Sequence, residues 1–417
     1  MIKKAPFVLW QIVQFPFLLG LFLYAKAFVD KSVNAWVISG HRGRIKSDNA
    51  SALFDYISRQ TDQPIIWIYQ RKPAADSGLN LDNSAQRNSF RARVILARAP
   101  VLIYSHGEDD PDCLVILLRR LLGKRIYIGH GANIVKRGTM HPDNIAKQGW
   151  LKGAVMSWLA TDYDFLLCSS DEEKHYWDAN KPKRSDRHFL GGGAPRLDKV
   201  LPLTQSEPGR KIVWVPTFRD TKKSNRLLLQ NLQAVAESEK LQSWLYEKDF
   251  ELAIGCHINT EFNALSLAQG NRRVTVFHPD KLWHELSTAA CMITDYSSIL
   301  VDWLLFDRPA IFFAFDLDDY KKVRGFHWKY QDYIYGDLVT NLENLLDLIT
   351  SDRWRNTEHD KDLRMKLKDR FFPAIEHDNS RSHYEKIFTL TGLPPKFRKV
   401  GQDLKIGSSR HSATDPS

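Results

Sequence analysis

The chain has 417 residues, of which 43% are apolar, 26% charged and 12% aromatic, enough for two or three hydrophobic cores and unlike a disordered chain, a collagen-like repeat or a small disulfide scaffold. Four cysteines, Cys113, Cys168, Cys256 and Cys291, stand at no metal-clip spacing, which argues against a zinc ribbon and for a reducing compartment. The net charge of +10 favours anionic partners: nucleic acid, a phospholipid surface or phosphorylated substrates.

The first predicted element is an uncharged run from Ala5 to Ala25 behind Lys3 and Lys4. Its length would just span a bilayer core of roughly 30 Å. Pro16 in its middle, Gln11 and Gln14 on one face, and Lys26 and Asp30 close behind argue against a simple span. Phe, Trp and Leu between basic flanks fit a helix lying in the membrane surface. A signal cleaved at Ala25-Lys26-Ala27, a bilayer span and a buried helix of the body are the alternatives. Residues 1–30 are therefore read as a membrane-associating segment.

Short apolar runs alternate with helix-length segments from there on. Ala35–Ser39, Pro64–Tyr69, Val101–Tyr104, Ile126–Ile128 and Phe165–Cys168 read as strands. Ser47-Asp48-Asn49 reads as the start of a helix over Ala50–Arg59, and Asp112–Leu122 and Asp171–Asn180 as further helices. The alternation predicts a parallel sheet covered on both faces. Gly191-Gly192-Gly193-Ala194-Pro195 and the polar stretch to Arg210 read as a linker. The pattern restarts with strands at Lys211–Val215, Glu251–Ile254, Val274–Val276, Cys291–Ile293 and Ala310–Phe313, and with a helix over Asn231–Lys248. The expected division is 31–200 and 210–395, two doubly wound α/β domains facing a central cleft, with a disordered tail over 396–417.

Four constellations sit where strands end. Gly129-His130-Gly131 follows a buried strand; the glycines permit close approach, and the imidazole either takes a proton or satisfies a loop carbonyl. Lys136 and Arg137 follow and could meet anionic groups. Pro216-Thr217-Phe218-Arg219-Asp220 offers a hydroxyl and a planar fork for phosphate, or a surface ion pair. Gly255-Cys256-His257 places a second imidazole at a matching strand end. Thr294-Asp295-Tyr296-Ser297-Ser298 joins a strand to a helix with Asp302 one turn on, which makes a phosphate site or a plain N-cap. No carboxylate cluster in these motifs forms a metal cage.

The combination of TDYSS at 294–298, Asp302, DRPAIFFAFDLDDY at 307–320 and Arg324-Gly325-Phe326 resembles the CDP-glycerol glycerophosphotransferases, the teichoic-acid primases and polymerases and their capsule-building relatives. PTFRD at 216–220, the His130-Gly131 pair and Gly193-Ala194-Pro195-Arg196-Leu197-Asp198 are similar to other motifs of that family. Two positions depart from it: Ala132-Asn133 stands where the family has Thr-Pro, and Gly255-Cys256 where it has Arg-Pro.

The resemblance implies a GT-B-like fold and a peripheral or monotopic place on the cytoplasmic face of the cell membrane. It implies transfer of glycerol phosphate from CDP-glycerol to a lipid-linked saccharide, with release of CMP. At 417 residues there is room for one catalytic module, which favours a priming or linker step over long-chain polymerisation. By position, His130 would activate the acceptor and His257 would stabilise the diphosphate. Thr217, Arg219, Asp295, Ser297, Ser298 and Asp302 would hold the donor; Asp48, Asn49, Lys136 and Arg324 would serve the acceptor. No tightly bound cofactor is expected, with Mg2+ at most a counter-ion of the diphosphate. The alternatives are a transferase of the same fold using CDP-ribitol or a nucleotide sugar, and a non-catalytic membrane or nucleic-acid module. The last lacks a concentrated basic-aromatic stripe, so no nucleic-acid partner is expected.

Overall fold

The computed structural model describes residues 5–29, 35–44, 46, 48–70, 78–107, 110–112, 118, 121–132, 134–138, 141–147, 149, 163–180, 188–219, 221–255, 273–355, 358–392 and 397. His257, Cys256, Ser47, Asn133, Asp220, most of the helix expected over Asp112–Leu122 and nearly all of the expected tail lie outside them.

Two wholly parallel sheets carry the molecule. The first comprises β1 (Trp36–Ser39), β2 (Ile65–Tyr69), β3 (Ser84–Gln86), β4 (Val101–Tyr104), β5 (Lys124–Tyr127), β6 (Phe165–Leu167) and β7 (His188–Leu190), in the order β3-β2-β1-β4-β5-β6-β7. The second comprises β8 (Lys211–Val215), β9 (Glu251–Gly255), β10 (Val274–Phe277), β11 (Cys291–Thr294), β12 (Ala310–Phe313) and β13 (Asp337–Val339), in the order β10-β9-β8-β11-β12-β13. The expected α/β architecture with parallel sheets is present.

Central strands are mostly apolar because both faces are covered. In β1, every residue is buried. Trp36 and Ile38 point into one core with Leu53, Phe54 and Ile57 of the helix α2 (Asp48–Gln60), while Val37 points into the other. Ile38 stands opposite Trp67 of β2 and Ile103 of β4, which fixes the register. The edge strands β3, β7 and β13 escaped the sequence reading. They are three residues long and carry polar side chains such as Ser84, His188 and Asp337, so no apolar run marks them.

The N-terminal run forms one helix, α1 (Ala5–Phe28), with Pro16 inside it. Among the described residues, no helix is long and apolar enough to cross a membrane, which corrects the bilayer-span alternative. Nor does α1 stand apart from the body. Leu18, Leu21, Phe22 and Ala25, at helical spacing, are buried, and α1 packs on α3 (Phe90–Arg98). The opposite stripe stays open: Val13, Phe17, Tyr24 and Phe28 are exposed. A helix apolar on every side thus buries one face only.

Two other expectations change. The helix expected over Asn231–Lys248 is two helices, Lys222–Ala236 and Glu239–Glu247. Ser238 breaks the run by capping the second, its side chain accepting from the Leu241 N–H. The linker read over 191–210 is packed structure, since Ala194, Arg196, Leu197 and Val200 are buried. The C-terminal helix Asn379–Thr391 returns to the first sheet, where Tyr384 and Phe388 lie against Trp36 at 5.7 and 4.9 Å.

Candidate active site

The carboxyl ends of β1, β4 and β5 bring three imidazoles into one stack. His106 and His130 lie parallel, 4.1 Å apart and 11° from coplanar; His41 and His106 are 4.6 Å apart. His130 Nδ1 lies 3.3 Å from the Ser105 carbonyl. A carbonyl only accepts, so Nδ1 carries the hydrogen and Nε2 keeps its lone pair. His106 is the reverse. Its Nδ1 accepts the His41 backbone N–H at 3.1 Å, with Ser105 Oγ at 2.9 Å, so its hydrogen sits on Nε2. His130 is exposed to the cleft on one side, with the His106 ring and the Ser105 carbonyl against it on the other. Desolvation by that surrounding protein pushes its pKa down to about 4; Lys136 and Arg196 add to the shift, and the Ser105 carbonyl opposes it. His130 is therefore neutral at pH 7.

The backbone around the stack is unusual. His41, Arg42 and Asp48 have φ of 51°, 56° and 59°, positions that non-glycine residues seldom take. Asp110, fully buried, holds part of this turn: its carboxylate accepts the backbone N–H groups of Arg42, His106 and Gly107 at 2.8, 2.9 and 3.2 Å. The sequence reading passed over His106. The signal was there, since Ser105-His106-Gly107 follows its strand just as His130 follows β5.

The loop bearing His130 meets the second half directly. At Gly131, a Cβ would lie 3.0 Å from Ser298 Oγ, so any side chain there would crowd the Ser298 hydroxyl. Ser298 precedes the helix Ile299–Trp303 and makes no side-chain cap bond; Ser297 Oγ reaches the Ile299 N–H at 3.5 Å. The Ser298 hydroxyl is not spent on capping. The helix is five residues long, so the dipole expected to draw a phosphate is small.

Asp302, expected at the donor, instead bridges the halves. It is buried and accepts from Arg196 Nη2 at 2.6 Å. Asn49, expected to serve the acceptor, is buried behind it and accepts from the Arg196 backbone N–H and Nη1. Asp48 lies near enough to His41 and Arg196 to favour the charged form of each, but burial still holds the His41 pKa below its usual value. Lys136 and Arg324 flank a second junction. Lys136 pairs with Phe326 in an antiparallel bridge, the Arg137 N–H donates to the Gly325 carbonyl at 3.0 Å, and the His327 N–H to the Val135 carbonyl at 3.1 Å. Asn144 Nδ2 donates to the Arg324 carbonyl at 3.2 Å.

Arg219 does not face the cleft with its charge free. It is 2% exposed. Nε and Nη2 donate to Asp316 at 2.7 and 2.9 Å, Nη2 also lies 2.8 Å from Asp295, and Nη1 donates to the Thr217 carbonyl at 2.6 Å. Tyr296, Phe315 and Tyr320 pack on the guanidinium. Burial works against the charge, but the two carboxylates outweigh it and hold the pKa well above the usual arginine range. Asp295 is equally committed, since it also accepts the Thr217 and Tyr296 backbone N–H groups at 2.9 and 2.6 Å. These two residues build the frame behind the site. Thr217 is different: its Oγ1 is buried with no hydrogen-bond partner among the described residues.

Among the described residues, no group of three or more His, Cys, Asp or Glu could hold a metal ion. Two cavities lie away from this junction, one of about 270 Å³ beside Lys211 and Glu251 and one of about 470 Å³ between Val29 and α3. The candidate site is thus the open cleft itself.

The model of the family described as CDP-glycerol:poly(glycerophosphate) glycerophosphotransferase matches residues 22–389. The teichoic acid glycerol-phosphate transferase of Staphylococcus aureus is 27% identical over 330 residues, 74% of this chain and 81% of that protein. The teichoic acid ribitol-phosphate primase of Bacillus spizizenii is 26% identical over 342 residues, 77% of this chain and 83% of that protein. The solved structure of the wall teichoic acid polymerase TagF shares the fold, with a TM-score of 0.63 and 16% identity over 94% of this chain and 98% of that one.

Proposed function

Because this chain belongs to the CDP-glycerol:poly(glycerophosphate) glycerophosphotransferase family, and is thus an enzyme of cell-envelope polymer synthesis, we propose that it transfers glycerol phosphate from CDP-glycerol to a hydroxyl of a lipid-linked saccharide. The observation that carries this reading is the approach of Gly131 to Ser298, which sets the His130 loop against the TDYSS segment. The acceptor oxygen bonds to the glycerol-bearing phosphorus, the bond from that phosphorus to the oxygen of the CMP phosphate breaks, and CMP leaves with the electron pair. His130 Nε2 takes the acceptor's proton. A pKa near 4 makes the free imidazole a weak base, but a bound diphosphate brings negative charge that favours the imidazolium as the proton arrives.

Ser297, Ser298 and Thr217 are the donor contacts this reading keeps, and His257 keeps the diphosphate role its sequence position implies. Magnesium, where it takes part, accompanies the diphosphate. The acceptor reaches the enzyme from the cytoplasmic face of the membrane. The open apolar stripe of α1, Val13, Phe17, Tyr24 and Phe28, supports a peripheral contact with the membrane surface.

CDP-ribitol is the second reading for the donor, because the ribitol-phosphate primase matches this chain over much the same extent. The test offers purified protein CDP-glycerol, CDP-ribitol or a UDP-sugar with a panel of lipid-linked saccharides, and reads products by mass spectrometry. We expect CMP and the addition of a single glycerol phosphate. Transfer of a sugar alone, or no CMP with any donor, overturns the reading; ribitol phosphate addition replaces its donor.

A further inference from the structure

We infer that Asn49 and Arg196 form a buried relay that locks the His130 loop to the opposite half of the molecule, which makes both of them positioning residues for the proton transfer. The inference rests on the reading of His130 given above. Bonds in series carry it. Asp302 accepts from Arg196 Nη2 at 2.6 Å. Arg196 donates its backbone N–H and Nη1 to Asn49 Oδ1 at 3.1 and 3.2 Å. Asn49 Nδ2 donates to the carbonyls of Ile128 and Gly129 at 2.7 and 3.2 Å. His130 is the next residue.

All three side chains are withdrawn from water: Asn49 is 1%, Asp302 3% and Arg196 5% exposed. The orientation of the Asn49 amide is fixed, because only its nitrogen can donate to carbonyls and only its oxygen can accept. Gly129 has φ +66°, a position open to glycine because it lacks a Cβ, and that same lack leaves its peptide free to turn unless something holds its carbonyl. Asn49 holds it.

Packing alone does not require such a series. A buried ion pair is often no more stabilising than apolar residues of the same size. What it supplies here is a defined distance between Asp302 in the donor half and the imidazole in the other. General-base transfer needs that definition, since a displacement of about 1 Å can cost about a hundredfold in rate. The relay also holds His130 where Nδ1 reaches the Ser105 carbonyl. A free neutral histidine prefers its hydrogen on Nε2, so this contact selects the less common tautomer. His41, His106, Lys136 and the Arg196 guanidinium are the titratable or charged groups near the ring.

The test uses the full chain and two near-isosteric variants. Asn49→Asp keeps an oxygen for Arg196 but sets carboxylate oxygens against two carbonyls. Asp302→Asn weakens the far end of the series, distant from His130. The readouts are kcat against donor KM, and the His130 tautomer at pH 7 by NMR of 15N-histidine-labelled protein, with His130→Ala to assign the signal. We expect kcat to fall about ten- to a hundredfold with donor KM within a few-fold. We also expect the His130 hydrogen to move from Nδ1 toward Nε2 in both variants. If one variant does not fold, the other gives the same two readouts. Wild-type kcat and an unchanged Nδ1–H tautomer in folded protein overturn the relay. The tautomer needs no turnover: a shifted tautomer in a protein that transfers no glycerol phosphate refutes the proposed function and upholds the relay. An active enzyme that needs His130 but tolerates both variants refutes the relay alone.

Discussion

His130 is open to the cleft on Nε2 and tied down on Nδ1, the arrangement a base needs to receive a proton from one direction. Two consequences can be measured. His130→Ala should lower kcat by about 10²–10⁴-fold with donor binding within a few-fold. In the wild type, kcat/KM reports the free enzyme, so its acidic limb should fall near pH 4, where the desolvated imidazole protonates. His106→Ala would let water reach the ring that His106 now covers. The His130 pKa should then rise toward 6.5 and the acidic limb should move up with it, so activity near pH 5 drops in the variant first. A limb that stays near 4 in His106→Ala would mean the stacked ring is mere packing. Arg219 belongs to a different class of prediction. Arg219→Ala removes the cation from two buried carboxylates and should cost about 3–5 kcal/mol of stability, read as an earlier urea midpoint. A folded, stable Arg219→Ala with only a raised donor KM would contradict the burial described above. The sequence could show that Arg219 sits at a strand end. It could not show that Asp316, almost a hundred residues on, had claimed Nε and Nη2 of the guanidinium.

At the scale of elements, periodicity is legible only where burial is one-sided or complete. The central strands were readable because their apolar runs answer to two covered faces. β3, β7 and β13 were not, since an edge strand is held by backbone bonds to one neighbour and its side chains need not be apolar. α1 is the instructive intermediate. Its sequence shows an apolar helix but not which face the body takes, because Leu18, Phe22 and Ala25 look no different from Phe17 and Tyr24 until α3 is placed beside them. The exposed stripe predicts a membrane contact that point changes can remove without unseating the helix. Phe17→Ser with Tyr24→Ser should reduce sedimentation with phospholipid vesicles several-fold at unchanged melting temperature, and high salt should not mimic it, because apolar burial is not screened as charge is. Leu18→Ser and Phe22→Ser should do the opposite and lower stability. Equal vesicle binding by the stripe variant and the wild type would remove α1 from the membrane surface.

Over the whole molecule, the two sheets are held by junctions that no local pattern announces: Arg196 with Asp302, the 135–137 strip on 325–327, Arg370 on Glu172 at 2.7 Å, and the returning C-terminal helix. Each joins residues that lie far apart in sequence, which explains why a reading that found both halves missed how they meet. The C-terminal helix carries its own acid sensor. His383 is fully buried, and its Nε2 donates to the Gly193 carbonyl at 2.8 Å. Nearby, Asp198 accepts the Asn379 and Ser380 backbone N–H groups at 2.7 and 2.8 Å. Desolvation pushes the His383 pKa down to about 4, with the Gly193 carbonyl opposing. The unfolded residue titrates near 6.5, so below that pH the unfolded chain binds a proton that the folded one refuses. Stability is whole above about 6.5 and is lost as pH falls toward 4, by up to about 3 kcal/mol for this one group. His383→Gln keeps a donor for Gly193 and does not titrate, so its urea midpoint should fall less between pH 7 and 4.5 than that of the wild type. Limited proteolysis should tell where the lost stability resides. If the helix is the part that acid releases, cleavage near residues 373–378 should rise in that window in the wild type and stay low in His383→Gln. Parallel pH profiles for the two proteins would place the acid sensitivity elsewhere.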